Sequence, residues 1–222
     1  LVDSLPADGV AILNDDFEYV RSRTVTGVNT VLRYTSADVA PAPFETRLLG
    51  RYNLTNLYAA WLAGRALGMT DDEMRRAIRQ IEPVEHRLSM RHTPGGVTII
   101  DDAFNSNPHG AAMAMEVLAS FGASGGSGGR RIVVTPGMIE LGPRQESANR
   151  ELGRQMAASC DIAVVVGTYN RQALLAGLAD GGFAPEATHT AATFTEASAW
   201  LRGVLRSGDT VLYENDLPDT FK

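Results

Sequence analysis

Lysine is nearly absent from this chain. Of its twenty Lys and Arg residues across 222 positions, the only lysine is Lys222, so nineteen are arginine. A phosphate loop of the G-x-x-x-x-G-K-[ST] type needs a lysine to reach the phosphates, and no position here supplies one. Schiff-base chemistry is disfavoured for the same reason. Cysteine is almost as scarce. Cys160 stands alone, which excludes an intramolecular disulfide framework and fits a reducing compartment. It reads as a small buried apolar residue beside a strand. No apolar run is long enough to span a membrane, and no secretory signal pattern is present. His86, His92, His109 and His189 are the four histidines, and they show no metal-ligand spacing. The net charge of −6 argues against non-specific nucleic-acid binding. The chain begins at Leu1, close to the start of an element, so it is expected to continue from a longer polypeptide.

What is present is an alternation of strand and helix patterns. Residues 9–14 and 30–34 read as strands around a short helix near 16–22, and 35–45 reads as a loop. Asn53–Leu67 carries Leu54, Leu57, Tyr58, Trp61 and Leu62 on one helical stripe, and Gly68 ends it. Thr70-Asp71-Asp72-Glu73 is a capping-box start for a helix to about Ile81. Glu82-Pro83-Val84 breaks the pattern. A domain boundary is placed there, giving domains 1–82 and 83–222.

After the break, Arg87–His92 and Val97–Asp102 flank Pro94-Gly95-Gly96 and read as an antiparallel hairpin. Helices at 108–121, 145–159, 171–180 and 194–206 then alternate with strands at 131–135, 162–167, 187–190 and 210–214. That alternation predicts an α/β fold: a Rossmann-like, doubly wound, mainly parallel sheet with one antiparallel strand. Gly122–Gly129 follows a helix and precedes a strand, the reverse of a phosphate loop, and reads as a surface linker.

In such a sheet, ligands bind beyond the carboxyl ends of the strands. Four polar segments fall there: Asp102–Asn107, Pro136–Arg144, Thr168–Asn170 and Asn215–Thr220. Asp102 offers a carboxylate to ribose hydroxyls. Asn105 and Asn107 offer amides, and Asn107 is equally suited to capping the helix that Pro108 begins. Glu140 presents a carboxylate between Gly137 and Gly142, whose lack of side chains would let backbone approach a ligand. Asn53 and Asn56 share a helix face away from the apolar stripe and can read a purine edge, or Asn53 can cap its helix. Arg87 can clamp a phosphate, stack on a base, or form a surface pair with Glu85.

Taken together, these segments resemble the Mur ligases, the ATP-dependent amide-bond-forming enzymes of peptidoglycan synthesis. Gly50-Arg51-Tyr52-Asn53-Leu54-Thr55-Asn56-Leu57-Tyr58-Ala59-Ala60 is similar to the family's G-x-H-N-x-x-N-x-x-A-A helix. His86-Arg87-Leu88 resembles its arginine after the interdomain hinge. Asp102–Pro108 resembles its D-x-Y-N-A-N-P loop, Gly137–Gly142 its G-x-M-x-E-L-G loop, and Leu5–Asn14 a segment late in its central domain.

The resemblance implies the end of a central ATPase domain followed by a whole C-terminal domain, hinged at Glu82–Glu85. It implies ATP and Mg²⁺ as cofactors, the metal held mainly by an upstream part. The implied substrates are a UDP-muramoyl-peptide and an amino acid or dipeptide amine, D-alanyl-D-alanine foremost. By this match Asn53 and Asn56 contact adenine, Arg87 a phosphate and Asp102 the ribose. Asn105, Asn107 and Glu140 line the site of the incoming dipeptide or the reacting phosphate. A cytoplasmic monomer, inactive without the upstream phosphate loop, is expected.

Besides lacking the family's phosphate loop and metal-supporting lysine, as the lysine count requires, the chain departs from the family pattern at three places. Tyr52 replaces a histidine, the segment between Tyr34 and Leu48 is short, and Glu214-Asn215-Asp216-Leu217-Pro218-Asp219 stands where a basic K-G-S-R-type loop is usual. An acidic loop there disfavours a carboxylate, which keeps open a folylpolyglutamate- or cyanophycin-type ligase and a non-catalytic module.

Overall fold

The computed structural model describes residues 2–39, 44–123 and 129–216. The chain divides into two compact units, Leu1–Glu82 and Pro83–Lys222.

In the first unit, β1 (Val10–Asn14) and β2 (Thr30–Tyr34) pair in parallel, with the short helix α1 (Glu18–Arg21) between them. The 35–45 segment is not all loop. Helix α2 (Ser36–Val39) forms at its start, because Asp38 accepts from both the backbone N–H and the hydroxyl of Thr35, at 2.8 and 3.0 Å. Such local side-chain bonds make a one-turn helix out of residues with poor intrinsic propensity.

Helix α3 (Arg51–Ala66) buries Leu57 and Trp61 against Met74 and Ile78 of α4 (Asp71–Arg79), with Phe44, Leu48, Leu54 and Ile81 around them. It ends in a Schellman turn. Gly68 adopts φ +83°, its N–H bonds Arg65 O at 3.0 Å, and the Met69 N–H bonds Gly64 O at 2.9 Å. The capping box is complete: the Glu73 N–H donates to Thr70 Oγ1 and the Thr70 N–H to Glu73 Oε2, at 3.3 and 2.8 Å.

The second unit contains β3 (Ser89–His92), β4 (Thr98–Asp102), α5 (Pro108–Ala123), β5 (Arg131–Thr135), α6 (Gln145–Ser159), β6 (Ile162–Val166), α7 (Arg171–Asp180), β7 (Thr188–Ala191), α8 (Phe194–Val204) and β8 (Thr210–Glu214). Its six strands lie in the order β3-β4-β8-β5-β6-β7. Only the β3–β4 hairpin pair is antiparallel. From β4 the chain steps through β5, β6 and β7 in one direction, then returns through α8 to insert β8 between β4 and β5. Right-handed crossovers therefore place α5, α6 and α7 on one face and α8 on the other.

Alternation along the strands serves both faces. Ile132, Val134, Val164, Val166 and Val211 meet Ala197 and Leu201 of α8, while Val133, Ala163, Val165 and Leu212, equally buried, point the other way. Cys160 is buried at the end of α6, and burial pushes its thiol up to about 12, the state of an inert core cysteine.

Residues 124–128 of the glycine-rich linker lie outside the described residues. Among the described residues, no helix is long and apolar enough to cross a membrane.

Candidate functional site

The chain visits β5, β6 and β7 before it returns to place β8 between β4 and β5, so the carboxyl ends of β4, β8 and β5 lie side by side, the part of an open parallel sheet where ligands bind. Register aligns those ends: Asp102 pairs with Glu214, and Val134 with Tyr213. Two loops rise there, one after β4 and one after β5.

The β4 loop begins at two aspartates with different tasks. Asp101 accepts from the Ala103 N–H at 3.2 Å and pairs with His86 Nδ1 at 3.0 Å. That hydrogen bond and the Asp101 charge raise the His86 pKa. Asp102 accepts from the Leu88 N–H at 3.0 Å. Burial pushes its carboxyl up to about 6, against the lowering effects of the Leu88 hydrogen bond and the Arg87 charge. The sequence pattern placed Arg87 at the start of a strand. It sits instead in a tight turn before β3, with His86 at φ +60° and Leu88 at φ +50°. The Asp102 bond to Leu88 and the complete burial of the Leu88 side chain hold this strained turn. Arg87 does not pair with Glu85; its guanidinium lies 4.5 Å over the ring of Phe104, an aromatic that is 60% exposed.

Farther along this loop, Asn105 is exposed. Asn107 Oδ1 accepts from the His109 and Gly110 N–H groups at 3.1 and 3.0 Å. It caps α5, so that oxygen is committed to the helix.

The β5 loop is held from beneath by three amide side chains. Asn149 Oδ1 accepts from the Met138 N–H at 2.8 Å, and Asn149 Nδ2 donates to Met138 O at 2.9 Å. Asn170 Nδ2 donates to Pro136 O and Met138 O, both at 3.0 Å. Gln145 Nε2 bonds Asn170 Oδ1 at 2.7 Å and also reaches Met138 O. Asn170 is thus a buried pin, not a ligand-facing loop residue as its position after β6 suggested. Gly137 adopts φ +79°. A Cβ there would come within 2.4 Å of Asn149 Oδ1 and 2.9 Å of Asn170 Cβ. The missing side chain makes room for the amide cluster. Above the cluster, Glu140 is exposed in a left-handed conformation, φ +63°. A glutamate held there is strain of the kind found at binding loops.

Between the two loops lies Glu214, which is 1% exposed. It is the last residue of β8 and not part of a solvated acidic loop. Its Oε1 accepts from the Ser106 hydroxyl and its Oε2 from Thr135 Oγ1, the latter at 2.9 Å. Burial pushes its carboxyl up to about 7, the two hydroxyl donors opposing that rise and the Asp102 charge adding to it. Asn215 follows at φ +64°. The pattern of residue types hinted at Glu214 only by setting a carboxylate at the end of an otherwise buried strand; the amide cluster left no such sign.

In the first unit, Asn53 Nδ2 donates to Leu49 O at 2.7 Å. Gly50, not Asn53, is the N-cap of α3. Asn56 is exposed one turn on. These two sit in one unit, while Arg87, Asp102, Asn105, Asn107 and Glu140 sit in the other. Among the described residues, no three His, Cys, Asp or Glu side chains gather as metal ligands do.

A mostly parallel six-stranded sheet with helices on both faces is a doubly wound α/β domain. The Mur ligase, glutamate ligase domain model matches residues 86–213 of the chain, which therefore belongs to the Mur ligase family. It is 29% identical, along an alignment of 251 positions with gaps, to the UDP-N-acetylmuramoyl-tripeptide–D-alanyl-D-alanine ligase of Mycobacterium bovis, covering 96% of this chain and 49% of that protein. To the ligase of the same name from Bacillus subtilis it is 27% identical, over 77% of this chain and 36% of that one. The fold is shared with MurF ligase from Thermotoga maritima in complex with ADP, at TM-score 0.76 and 18% identity, over 97% of this chain and 52% of that structure. The chain thus spans about a third to a half of the length of these relatives.

Proposed function

We propose that the protein carrying this chain is an ATP-dependent ligase of peptidoglycan synthesis. It joins the terminal carboxylate of UDP-N-acetylmuramoyl-tripeptide to the amine of D-alanyl-D-alanine in the cytoplasm. In this reading residues 1–82 end the central ATPase domain and 83–222 form the C-terminal domain. The observation that carries it is that the Asp102–Pro108 loop and the Gly137–Gly142 loop follow β4 and β5, the two strands that flank β8, at the same carboxyl end of the sheet. Relatives named for this reaction, matched along 96% of the chain in the mycobacterial case, support it.

Each residue has a role that its chemistry fits. Asp102 accepts from the ribose hydroxyls of ATP with the oxygen not used by Leu88. Asn56 and Asn53 read the adenine edge, and Arg87, already poised over Phe104, meets a phosphate. Asn105, Asn107 and Glu140 line the place of the incoming dipeptide. Asn107 contributes through its amide nitrogen, since its oxygen caps α5. A carboxylate such as Glu140 suits the ammonium end of a dipeptide. ATP supplies activation by turning the acceptor carboxylate into an acyl phosphate, whose phosphate leaves as the amide forms. Mg²⁺, which accompanies ATP in phosphoryl transfer, is assigned in this reading mainly to the upstream part of the protein that holds the triphosphate. Residues 1–222 by themselves carry no lysine-bearing phosphate loop and are inactive in this reading.

Phosphate release from ATP by the protein in its full natural length tests the proposal, with the UDP-muramoyl-tripeptide present and D-alanyl-D-alanine added or withheld. Release that needs both substrates and collapses in Asp102→Ala is the expected result. Release indifferent to D-alanyl-D-alanine transfers the assignment to another amine, and its complete absence removes the ligase reading.

A further inference from the structure

Residues 214 and 215 touch both site loops. The Ser106 hydroxyl donates to Glu214 Oε1, and Thr135 Oγ1 donates to Oε2 at 2.9 Å. Asn215 donates its backbone N–H to Asp102 O at 3.2 Å and its Nδ2 to Gly137 O at 2.6 Å. Thr135 Oγ1 in turn accepts from the Gly137 N–H at 2.9 Å. A continuous chain therefore runs from the β5 loop through Thr135, Glu214 and Ser106 into the β4 loop. A hydroxyl has one hydrogen, so with Glu214 ionised the direction of the chain is set. The Gly137 N–H occupies a Thr135 lone pair, the Thr135 proton goes to Glu214, and the Ser106 proton arrives from the opposite side. A carboxylate is the side chain that offers two acceptor oxygens from one buried position.

We propose that Glu214 is a positioning residue for the ligase reaction, holding the loop that carries Asn105 and Asn107 at a set distance from the loop that carries Glu140. At 1% exposure it touches no ligand; it acts through Ser106 and Thr135. The catalytic consequence rests on the ligase reading, whereas the coupling of the two loops rests on the hydrogen bonds alone.

The two parts are separable by experiment. Amide NMR of the intact chain reads the coupling. Ser106→Ala moves the amide signals of Gly137 and Met138, across the crevice from the substitution, and in a Glu214→Gln background that cross-loop shift is diminished. A response confined to residues 102–109 overturns the proposal. Should Glu214→Gln not fold, Thr135→Val replaces it, with Thr135→Ser, which keeps the hydroxyl, restoring the response.

Kinetics of the full-length protein read the consequence. Glu214→Gln and Thr135→Val raise KM for the amine substrate by about tenfold, the effect of one lost charge-assisted contact. KM for ATP stays within about threefold, because Asp102 keeps its own bond to Leu88. Thr135→Ser recovers the wild-type value. Loss of folded enzyme alone would lower kcat and leave KM unmoved, so an unchanged amine KM overturns the positioning role. If the wild-type protein releases no phosphate, the ligase reading fails, and the NMR arm still decides whether Glu214 couples the loops.

Discussion

Asp102 and Glu214 stand opposite one another in register at the carboxyl ends of two adjacent parallel strands. Burial pushes the first carboxyl up to about 6 and the second to about 7. Both keep their protons longer in the folded than in the unfolded chain, so between about pH 4 and pH 7 the folded state binds more protons. Their contribution to stability is full below about pH 4 and is lost as pH rises through 6 and 7. Glu214→Gln removes about half of that slope. Urea melts at pH 5, 6, 7 and 8 check this; parallel pH dependence in wild type and variant would sink it.

Asp102 has two duties that substitution can separate. Asp102→Asn keeps an oxygen for the Leu88 N–H but loses the charge offered to ribose. Asp102→Ala loses both and leaves a backbone donor unpaired near the strained 86–88 turn. Nucleotide affinity of the full-length protein is expected to fall by about ten- to a hundredfold in each, matching roughly 1.5–3 kcal/mol for a hydrogen bond to a charged group. Only the alanine variant also loses about 1–3 kcal/mol of stability for the orphaned N–H. Equal melting temperatures for the two variants would refute the division.

Helices α6 and α7 approach so closely that a Cβ on Gly177 would lie 1.9 Å from Arg150 O, a backbone atom. Neither helix can yield without moving the amide cluster that α6 and Asn170 supply to the β5 loop. Gly177→Ala is expected to cost more than about 2 kcal/mol. Gly203→Ala, in α8 with nothing within 4 Å of the new Cβ, is expected to be neutral or to stabilise by up to about 1 kcal/mol. Thermal unfolding of the two variants side by side measures the contrast.

Glu140 is held at φ +63° on an exposed loop. Glu140→Gly relieves that strain and is expected to stabilise the fold by roughly 1 kcal/mol while weakening amine binding in the full-length protein. A variant that is less stable than wild type would show that the Glu140 side chain is itself a structural support.

Much of the fold could be read along the chain because its causes are local. Alternation of apolar strands with capped helices, the Gly68 stop and the Thr70–Glu73 box each act within a few residues, and the doubly wound sheet follows from them through the handedness of crossovers. The same holds for the positions of the segments 102–108 and 137–142, which follow strands β4 and β5 as the pattern indicates. Thr193-Phe194-Thr195-Glu196, at the start of α8, has the capping-box pattern too, and shows the limit even of local reading. Thr193 does accept from the Glu196 N–H, but Glu196 reaches back to Ala192 N, one residue short of the reciprocal bond.

What only tertiary structure decided lies across strands. Nothing in the order of residues says that β8 returns between β4 and β5, yet that single insertion brings Glu214 beneath Ser106 and beside Thr135 and Asp102. It turns a glutamate at the head of an acidic tail into a buried acceptor. It sets Asn215 against the carbonyls of both loops, and packing of α6 against α7 delivers Asn149 and Asn170 to the β5 loop. The sequence by itself determined which segments are strands, helices and the loops between them, since propensity and periodicity are short-range. The pairing order of the strands, a long-range outcome of burying both faces of one sheet, determined which side chains those loops rest upon.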